Sequence, residues 1–118
     1  MTVAEIVARI KAHPRIGEAG MILCHNGIVR GTSRSGRRVS EIRVKARQGI
    51  LAELIGEIKS RPCIIEVLAE LHEGTLTVGE DIMVVAIADD SRENVFPALQ
   101  DLMQQIKRQI TEKEEIIP

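Results

Sequence analysis

The feature that most constrains the fold is an uninterrupted apolar run, IMVVAIA, at residues 82–88. Successive side chains of a β-strand point to opposite faces of the sheet, so a strand with this sequence is apolar on both faces. Strands of that kind lie inside a sheet rather than at its border. We therefore predict that residues 82–88 form a central strand.

Helix and strand patterns alternate along the rest of the chain. Apolar residues at helical spacing predict helices at residues 3–11, 48–60 and 92–110, whereas turn residues and alternation predict strands at 19–30, 39–46 and 63–72. Thr2, with Glu5 three positions later, is typical of a helix N-cap. The order α-β-β-α-β-β-α predicts an α+β fold, a single domain over residues 1–118 with helices packed on a mostly antiparallel sheet.

Four details of this arrangement follow from the same patterns. The strands at 19–30 and 39–46, joined by the turn sequence GTSRSGRR, are predicted to form a hairpin with one basic face. In the third strand, Cys63 and Ile65 are predicted to share a face with the later alternate residues. The charged segment at 111–118 is expected to fray. The buried stripe of the last helix is predicted to comprise Val95, Phe96, Leu99, Leu102, Met103, Ile106 and Ile110.

The composition argues against several functional classes. Phe96 is the only aromatic residue, so a base-stacking surface for single-stranded nucleic acid is not expected, and the net charge of −1 favours neither DNA nor a membrane. No apolar stretch approaches the roughly 20 residues that span a bilayer. Cys24 and Cys63 lack metal-ligand spacing and are predicted to be buried free thiols. Because the N-terminus resembles an amphipathic helix rather than a signal peptide, we expect a cytoplasmic protein. The absence of metal-ligand spacing, of a phosphate-loop motif and of a dinucleotide fingerprint predicts no metal and no cofactor.

Positive charge is concentrated in the region from Arg30 to Arg47, which contains one acid, Glu41. Its basic residues are Arg30, Arg34, Arg37, Arg38, Arg43, Lys45 and Arg47. Arg30 lies where a strand meets the Gly-rich turn, a position suited to bidentate recognition of phosphate or carboxylate. On composition alone, a solvated charged hairpin explains the run better.

Three further cations lie at the ends of the last predicted helix. Arg92 is at its start, where backbone N–H groups can help to bind an anion. Lys107 and Lys113 flank its end, where the helix dipole favours cations without any function. A lysine close to other cations can also have a lowered pKa and act as a nucleophile or in proton transfer.

The order and spacing of several segments resemble the large subunit of molybdopterin synthase, the MoaE family. These segments are GIVR at 27–30, LHEGTLTVGEDIMVVAIA at 71–88, SR at 91–92 and IK at 106–107. The resemblance covers residues from about 19 to 115, and LTVGEDIMVVAIA is its most specific part. It implies an α/β hammerhead fold and a homodimer whose pocket draws residues from both protomers.

The resemblance also implies a reaction and a set of site residues. The family transfers sulfur to cyclic pyranopterin monophosphate from a thiocarboxylate on the C-terminal Gly-Gly tail of a small ubiquitin-like subunit. Arg30 matches a substrate-pocket arginine, and Arg92 matches an arginine that reaches in from the other protomer. His25 stands where the family has an aromatic residue, and we assign it to substrate binding. Lys107 matches the first pocket lysine, which is central to catalysis, and Lys113 matches the second if one residue is deleted between them.

Several positions depart from the family pattern. Ser91 and Glu73 stand where the family has a histidine and an arginine, residues 110–115 (ITEKEE) lack its Pro and Trp, and residues 45–47 replace its Glu-x-Tyr segment. Two hypotheses therefore remain: a sulfur-transferring enzyme, which we favour, and a non-catalytic homodimer that binds a pterin, a phosphate or a protein tail. A nucleic-acid-binding hairpin is a weaker third.

Overall fold

The computed structural model describes residues 1–90 and 92–118, with Arg92 described by its backbone alone. Its helices are α1 (Val3–Lys11), α2 (Gln48–Lys59) and α3 (Arg92–Gln105), and a wider π-helical turn, Ile106–Ile110, continues α3. Its strands are β1 (Met21–Ile28), β2 (Glu41–Ala46), β3 (Ile64–Leu71), β4 (Gly74–Thr77), β5 (Asp81–Asp89) and β6 (Thr111–Ile116). The described strands pair only in antiparallel fashion, and the predicted α+β class is confirmed.

Strand β5 occupies the centre of the first sheet, whose order is β1-β5-β3, as its apolar run predicted. Its side chains Met83, Val85 and Ile87 belong to the core that faces α2 and α3. The intervening residues Val84, Ala86 and Ala88 are fully buried in a second core with Ile6 and Ile10 of α1. Helices therefore cover both faces of this sheet, which explains why β5 has no polar side.

Helix α1 has the predicted cap. The backbone N–H of Glu5 donates to Oγ1 of Thr2 at 3.1 Å.

None of the described helices is long and apolar enough to cross a membrane.

The predicted hairpin of the first two strands is wrong. Strand β1 pairs with β5, whereas β2 lies between β4 and β6 in a second sheet of order β4-β2-β6. Ile42 and Val44 of β2 are buried in the main core, so the alternation predicted for this strand is correct. Its two neighbours come from later in the sequence, and the local pattern of β2 carried no information about them.

The prediction that residues 111–118 fray is also wrong, because Thr111–Ile116 form β6. In this pairing Glu114 lies opposite Arg43, and Glu112 lies opposite Lys45. Opposite charges directly across an antiparallel pair stabilise it. The basic face of β2 is thus matched by an acidic strand, which removes the basis for a nucleic-acid surface there.

An irregularity at the start of β3 separates residues that were predicted to share a face. The pairing of β3 with β5 shifts register between Ile64 and Glu66. Ile64 and Val67 consequently lie in the main core, and Ile65 lies in the core under α1. Cys63 precedes the strand with a φ of +77° and is exposed, and Cys24 is half-buried. The prediction that both free thiols are buried is therefore wrong for Cys63 and holds only in part for Cys24.

The buried stripe of α3 differs from the predicted one at three residues: Phe96 is exposed, and Leu99 and Met103 are only partly buried. Phe96 is 46% exposed, whereas Val95, Ala98 and Leu102 are at most 1% exposed. Residues three and four apart share a helical face, so a stripe through Val95, Ala98 and Leu102 leaves Phe96 beside it. The predicted residues Ile106 and Ile110 are buried in the π-helical turn.

Candidate functional site

A cavity of about 650 Å³ lies between the end of β1, the start of β5, the end of α3 and the start of β6. Its polar lining consists of His25, Arg34, Gln104, Lys107, Thr111 and Lys113. Its apolar lining consists of Gly27, Ile28, Ile82, Met83, Met103 and Ile106. The lining contains three cationic side chains and, among the described residues, no carboxylate.

Strands β1 and β5 form one wall of this cavity. His25 and Gly27 are two positions apart on β1, so they occupy the same face of the sheet. A β-carbon at residue 27 would lie 3.1 Å from Cγ of Met83 and 3.5 Å from Nε2 of His25. The absence of a side chain at Gly27 therefore leaves the space into which the His25 ring and Met83 fit.

The opposite wall carries the two lysines. Lys107 lies in the π-helical turn after α3, and Lys113 lies on β6 directly across from Val44. Residues opposite each other in an antiparallel pair share a face, and Val44 is only 2% exposed. The pairing of β6 with β2 thus turns Lys113 toward the interior side of this sheet, although the residue as a whole is exposed.

The surroundings of Lys113 reduce its proton affinity. Partial burial lowers the pKa of the Lys113 ammonium, and the positive charge of Lys107 lowers that pKa further. Both causes disfavour the charged form of Lys113. A larger fraction of Lys113 is therefore neutral than for an ordinary surface lysine, and a neutral amine can accept a proton.

Arg47 holds the junction between the π-helical turn and β6. Its Nη1 donates to the carbonyl of Gln109 at 3.1 Å, and its Nη2 donates to Oε1 of Glu112 at 3.1 Å. Its backbone N–H donates to the carbonyl of Ile110 at 2.9 Å. These three bonds fix the chain between Lys107 and Lys113, so the segment that carries both lysines is anchored to β2.

Of the predicted site residues, His25, Lys107 and Lys113 meet in this cavity. Arg30 does not line it, because its Nε donates to the carbonyl of Thr32 at 2.7 Å and its side chain is exposed. The side chain of Arg92 lies outside the described part of the structure, as does Ser91.

Arg34 lines the cavity, and the sequence-based reasoning did not select it. It follows Ser33 in the segment that joins β1 and β2, where composition alone favours a solvated charged surface. Ser33 and Gly36 flank Arg34 with the residue types of a tight hairpin loop, so the sequence does indicate that Arg34 lies in a turn. Which side of the molecule that loop faces could not be read from the sequence.

A second cavity, of about 280 Å³, lies between α2 and α3. Its lining includes Glu53, Glu57, Arg61 and Asp101, and Arg61 forms an ion pair with Asp101. None of the predicted site residues whose side chains the structure describes lines it. Within the described residues, no cluster of three or more His, Cys, Asp or Glu side chains could hold a metal ion.

His72 and Glu73, of which Glu73 departs from the family pattern, are both held by hydrogen bonds. Nδ1 of His72 lies 2.8 Å from the carbonyl of Asp81, and Nε2 lies 2.7 Å from Oε1 of Glu70. The bond to Glu70 raises the pKa of His72 above its usual range, and the bond to the Asp81 carbonyl adds to this. Glu73 accepts from the backbone N–H of Ala46 at 2.9 Å, which fastens the end of β2 to the loop after β3.

The fold is shared with several solved structures. A MoaE protein from Burkholderia ambifaria has a TM-score of 0.79 at 23% identity and covers 100% of this chain and 78% of its own. Molybdopterin synthase from Staphylococcus aureus has a TM-score of 0.75 at 20% identity, covering 86% of this chain and 77% of its own. A complex of subunits 1 and 2 of the molybdopterin-converting factor from Helicobacter pylori has a TM-score of 0.77 at 12% identity. The match covers 99% of this chain and 80% of the matched chain.

Sequence comparison gives the same family. An uncharacterised protein of Methanocaldococcus jannaschii is 30% identical over 96 residues, which cover 78% of this chain and 81% of that protein. The family described as MoaE protein matches residues 1–109, nearly the whole chain. The resemblance seen in the sequence is therefore confirmed, and the chain belongs to the MoaE protein family as a divergent member.

Proposed function

We propose that this chain is the large subunit of a molybdopterin synthase, which transfers sulfur from a thiocarboxylated small subunit to cyclic pyranopterin monophosphate. Membership of the MoaE family supports a role in molybdenum cofactor biosynthesis. The observation that carries the proposal is the meeting of Lys107, Lys113 and His25 in one cavity of about 650 Å³. A volume of that size falls within the range of small-molecule sites.

The chemistry of the lining suits this reaction. The substrate carries a phosphate group, and a lining with three cations and no described carboxylate favours an anion. Once the sulfur is bonded to the pterin, water attacks the acyl carbon of the tail; the bond between this carbon and sulfur breaks, which leaves the sulfur on the pterin and a carboxylate on the tail. This attack builds negative charge on the acyl oxygen, which a cationic site stabilises. Burial and the charge of Lys107 lower the pKa of Lys113, so this residue is better suited to proton transfer than an ordinary surface lysine.

The proposed assembly has two kinds of partner. One is a small ubiquitin-like subunit whose C-terminal Gly-Gly tail enters the cavity. The Helicobacter pylori neighbour, a complex of two subunits, supports such a partner. The other is a second copy of this chain, which would bring its Arg92 to the site in a cytoplasmic homodimer.

A reconstituted assay tests the proposal. The chain is mixed with thiocarboxylated small subunit and cyclic pyranopterin monophosphate, and the molybdopterin formed is measured. Lys107→Ala is expected to lower kcat by about 100-fold or more, as loss of a group that acts in proton transfer or charge stabilisation does. Arg108→Ala is the matched control, because it removes the same charge from the next residue, which does not line the cavity.

Two results would contradict the proposal. No conversion by the unaltered chain, while a standard large subunit works in parallel, would refute sulfur transfer. Full activity of Lys107→Ala would refute the role given to that lysine while leaving the enzyme assignment intact.

A second candidate function is a non-catalytic homodimer that binds a pterin, a phosphate or a protein tail. Glu73 favours it, because this residue replaces a basic residue of the family and is engaged by Ala46 and by Gln48, whose Nε2 donates to Oε2 of Glu73 at 3.2 Å. Tight binding of molybdopterin or its precursor without turnover would support this function over the first.

A further inference from the structure

Arg34 stands at the tip of a loop that is already formed. The turn around Arg34 sets its backbone. The N–H of Gly36 donates to the carbonyl of Ser33 at 3.0 Å, and the N–H of Ser33 donates to the carbonyl of Arg37 at 2.8 Å. Gly36 has a φ of +84°, which suits glycine at the end of a three-residue hairpin loop. Arg34 is thus presented from a defined turn, and binding through it requires little ordering of the backbone.

Contacts within the segment strengthen this loop. Oγ of Ser33 accepts from the backbone N–H of Arg37 at 3.1 Å and lies 2.9 Å from Oγ of Ser35. Thr32 and Arg38 form a bridge at the base of the loop. The N–H of Val39, which is 2% exposed, donates to the carbonyl of Gly31 at 2.9 Å. The loop is therefore joined at its base to the buried core.

The charge of Arg34 is not neutralised by a protein carboxylate. Across the described residues Arg34 forms no ion pair, in contrast to Arg43 and Arg47, which pair with Glu114 and Glu112 of β6. Arg34 instead lines the cavity together with Lys107 and Lys113. The positive charges of these three side chains repel one another, and a bound anion would offset that repulsion.

Arg30 has a different position, although it belongs to the same segment. Its Nε donates at 2.7 Å to the carbonyl of Thr32, the residue that forms the base of the loop. Arg30 therefore supports the loop from outside the cavity, whereas Arg34 reaches the cavity from the tip.

We propose that Arg34 is the arginine that binds the phosphate group of the ligand in this cavity, together with Lys107 and Lys113, and that Arg30 positions the loop that carries it. The ligand class is a phosphate dianion, either free or as a monoester. The guanidinium suits this group because it can donate two parallel hydrogen bonds to phosphate oxygens. The identity of the monoester as the pyranopterin substrate rests on the proposed function, whereas phosphate binding does not.

Phosphate binding by the full chain tests the role given to Arg34. Inorganic phosphate is titrated into the protein at constant ionic strength, and binding is followed by calorimetry and by NMR. Arg34→Ala is expected to weaken binding by roughly 10- to 100-fold, the loss typical of a charged hydrogen-bonding partner. Arg34→Lys should recover part of it, since a lysine keeps the charge without the planar fork. Arg37→Ala is the matched control, because it removes the same charge from the same loop outside the cavity.

The outcomes separate this inference from the proposed function. Absence of phosphate binding by the unaltered chain overturns it, as does an equal loss in Arg34→Ala and Arg37→Ala, or no loss in Arg34→Ala. The synthase assay adds a second reading, in which Arg34→Ala should raise KM for cyclic pyranopterin monophosphate about tenfold with little change in kcat. Phosphate binding that depends on Arg34 without any turnover would refute the synthase and leave this inference standing. Turnover with an unchanged KM in Arg34→Ala would support the synthase and refute this inference.

Discussion

Replacement of Leu102 by Ala tests whether the core beneath the cavity is packed as the structure describes. Leu102 is fully buried on α3, in the same core as Val85 and Ile87 of β5. Leu99, one turn earlier on the same helix, is only partly buried. The sequence predicted both leucines in one buried stripe, so their difference is a property of the tertiary structure.

The expected loss of stability follows from this burial. Leu→Ala removes three carbon groups, each worth about 0.8 kcal/mol when fully buried, which gives about 2.4 kcal/mol. The cavity that remains adds about 1 kcal/mol, for a total of about 3.4 kcal/mol, within the usual range of about 2–5 kcal/mol. For a domain of this size, that loss lowers Tm by about 10–15 °C. Leu99→Ala should lower the free energy of unfolding by only about 1 kcal/mol, because part of that side chain contacts water in both states.

Thermal and urea unfolding followed by far-UV circular dichroism measures both losses. The chain has neither Trp nor Tyr, so intrinsic fluorescence is a poor probe. The two variants have the same change in helix propensity and are compared at one protein concentration, because self-association would shift both midpoints. Equal losses in Leu102→Ala and Leu99→Ala would refute the packing of α3 on β5 given above.

Two further predictions concern proton affinity. Lys107→Met is expected to raise the pKa of Lys113 only part of the way toward its ordinary value, because burial, the larger cause of the lowering, remains. NMR titration of the lysine side chains measures this pKa. An unchanged pKa of Lys113 would refute its coupling to Lys107. Since folding lowers the pKa of Lys113, the unfolded chain binds more protons between that lowered pKa and about 10.4, so this residue makes stability rise with pH across that window. Glu70→Gln is expected to lower the pKa of His72, because the bond to Glu70 is the main cause of its rise. The stabilisation from the His72–Glu70 pair is present below about pH 6.5 and is lost as pH rises through the raised pKa of His72. NMR titration of the His72 ring measures this pKa. An unchanged ring pKa in Glu70→Gln would contradict the role of Glu70.

Local patterns predicted the individual elements because their causes are local. The cap of α1 needs only Thr2 and the backbone of Glu5, and both are close in the chain. The central position of β5 follows from its own side chains, which leave it no polar face. The family resemblance then added His25, Lys107 and Lys113, which the structure brings to one cavity and whose roles remain predictions.

The pairing of strands could not be obtained in the same way. Alternation in β2 predicts a strand with one buried face, and it does so equally well for any neighbour. The acidic residues of β6 complement Arg43 and Lys45, but they lie far along the chain in a segment whose charge suggested fraying. The register irregularity in β3 likewise arises from its pairing with β5, so it could not be read from the alternation at Ile65.

The sequence by itself determined the three helices, four of the six strands, the central position of β5 and the family, and the family resemblance supplied three of the residues that line the cavity. Periodicity and motifs carry this information because they are properties of neighbouring residues. Only the tertiary structure decided that β6 pairs with β2, and so turns Lys113 toward Lys107, and that Arg34 rather than Arg30 lines the cavity. Both outcomes depend on contacts between segments distant in the chain. Their free energy comes from complementary charge and shared burial in three dimensions, which no single segment encodes.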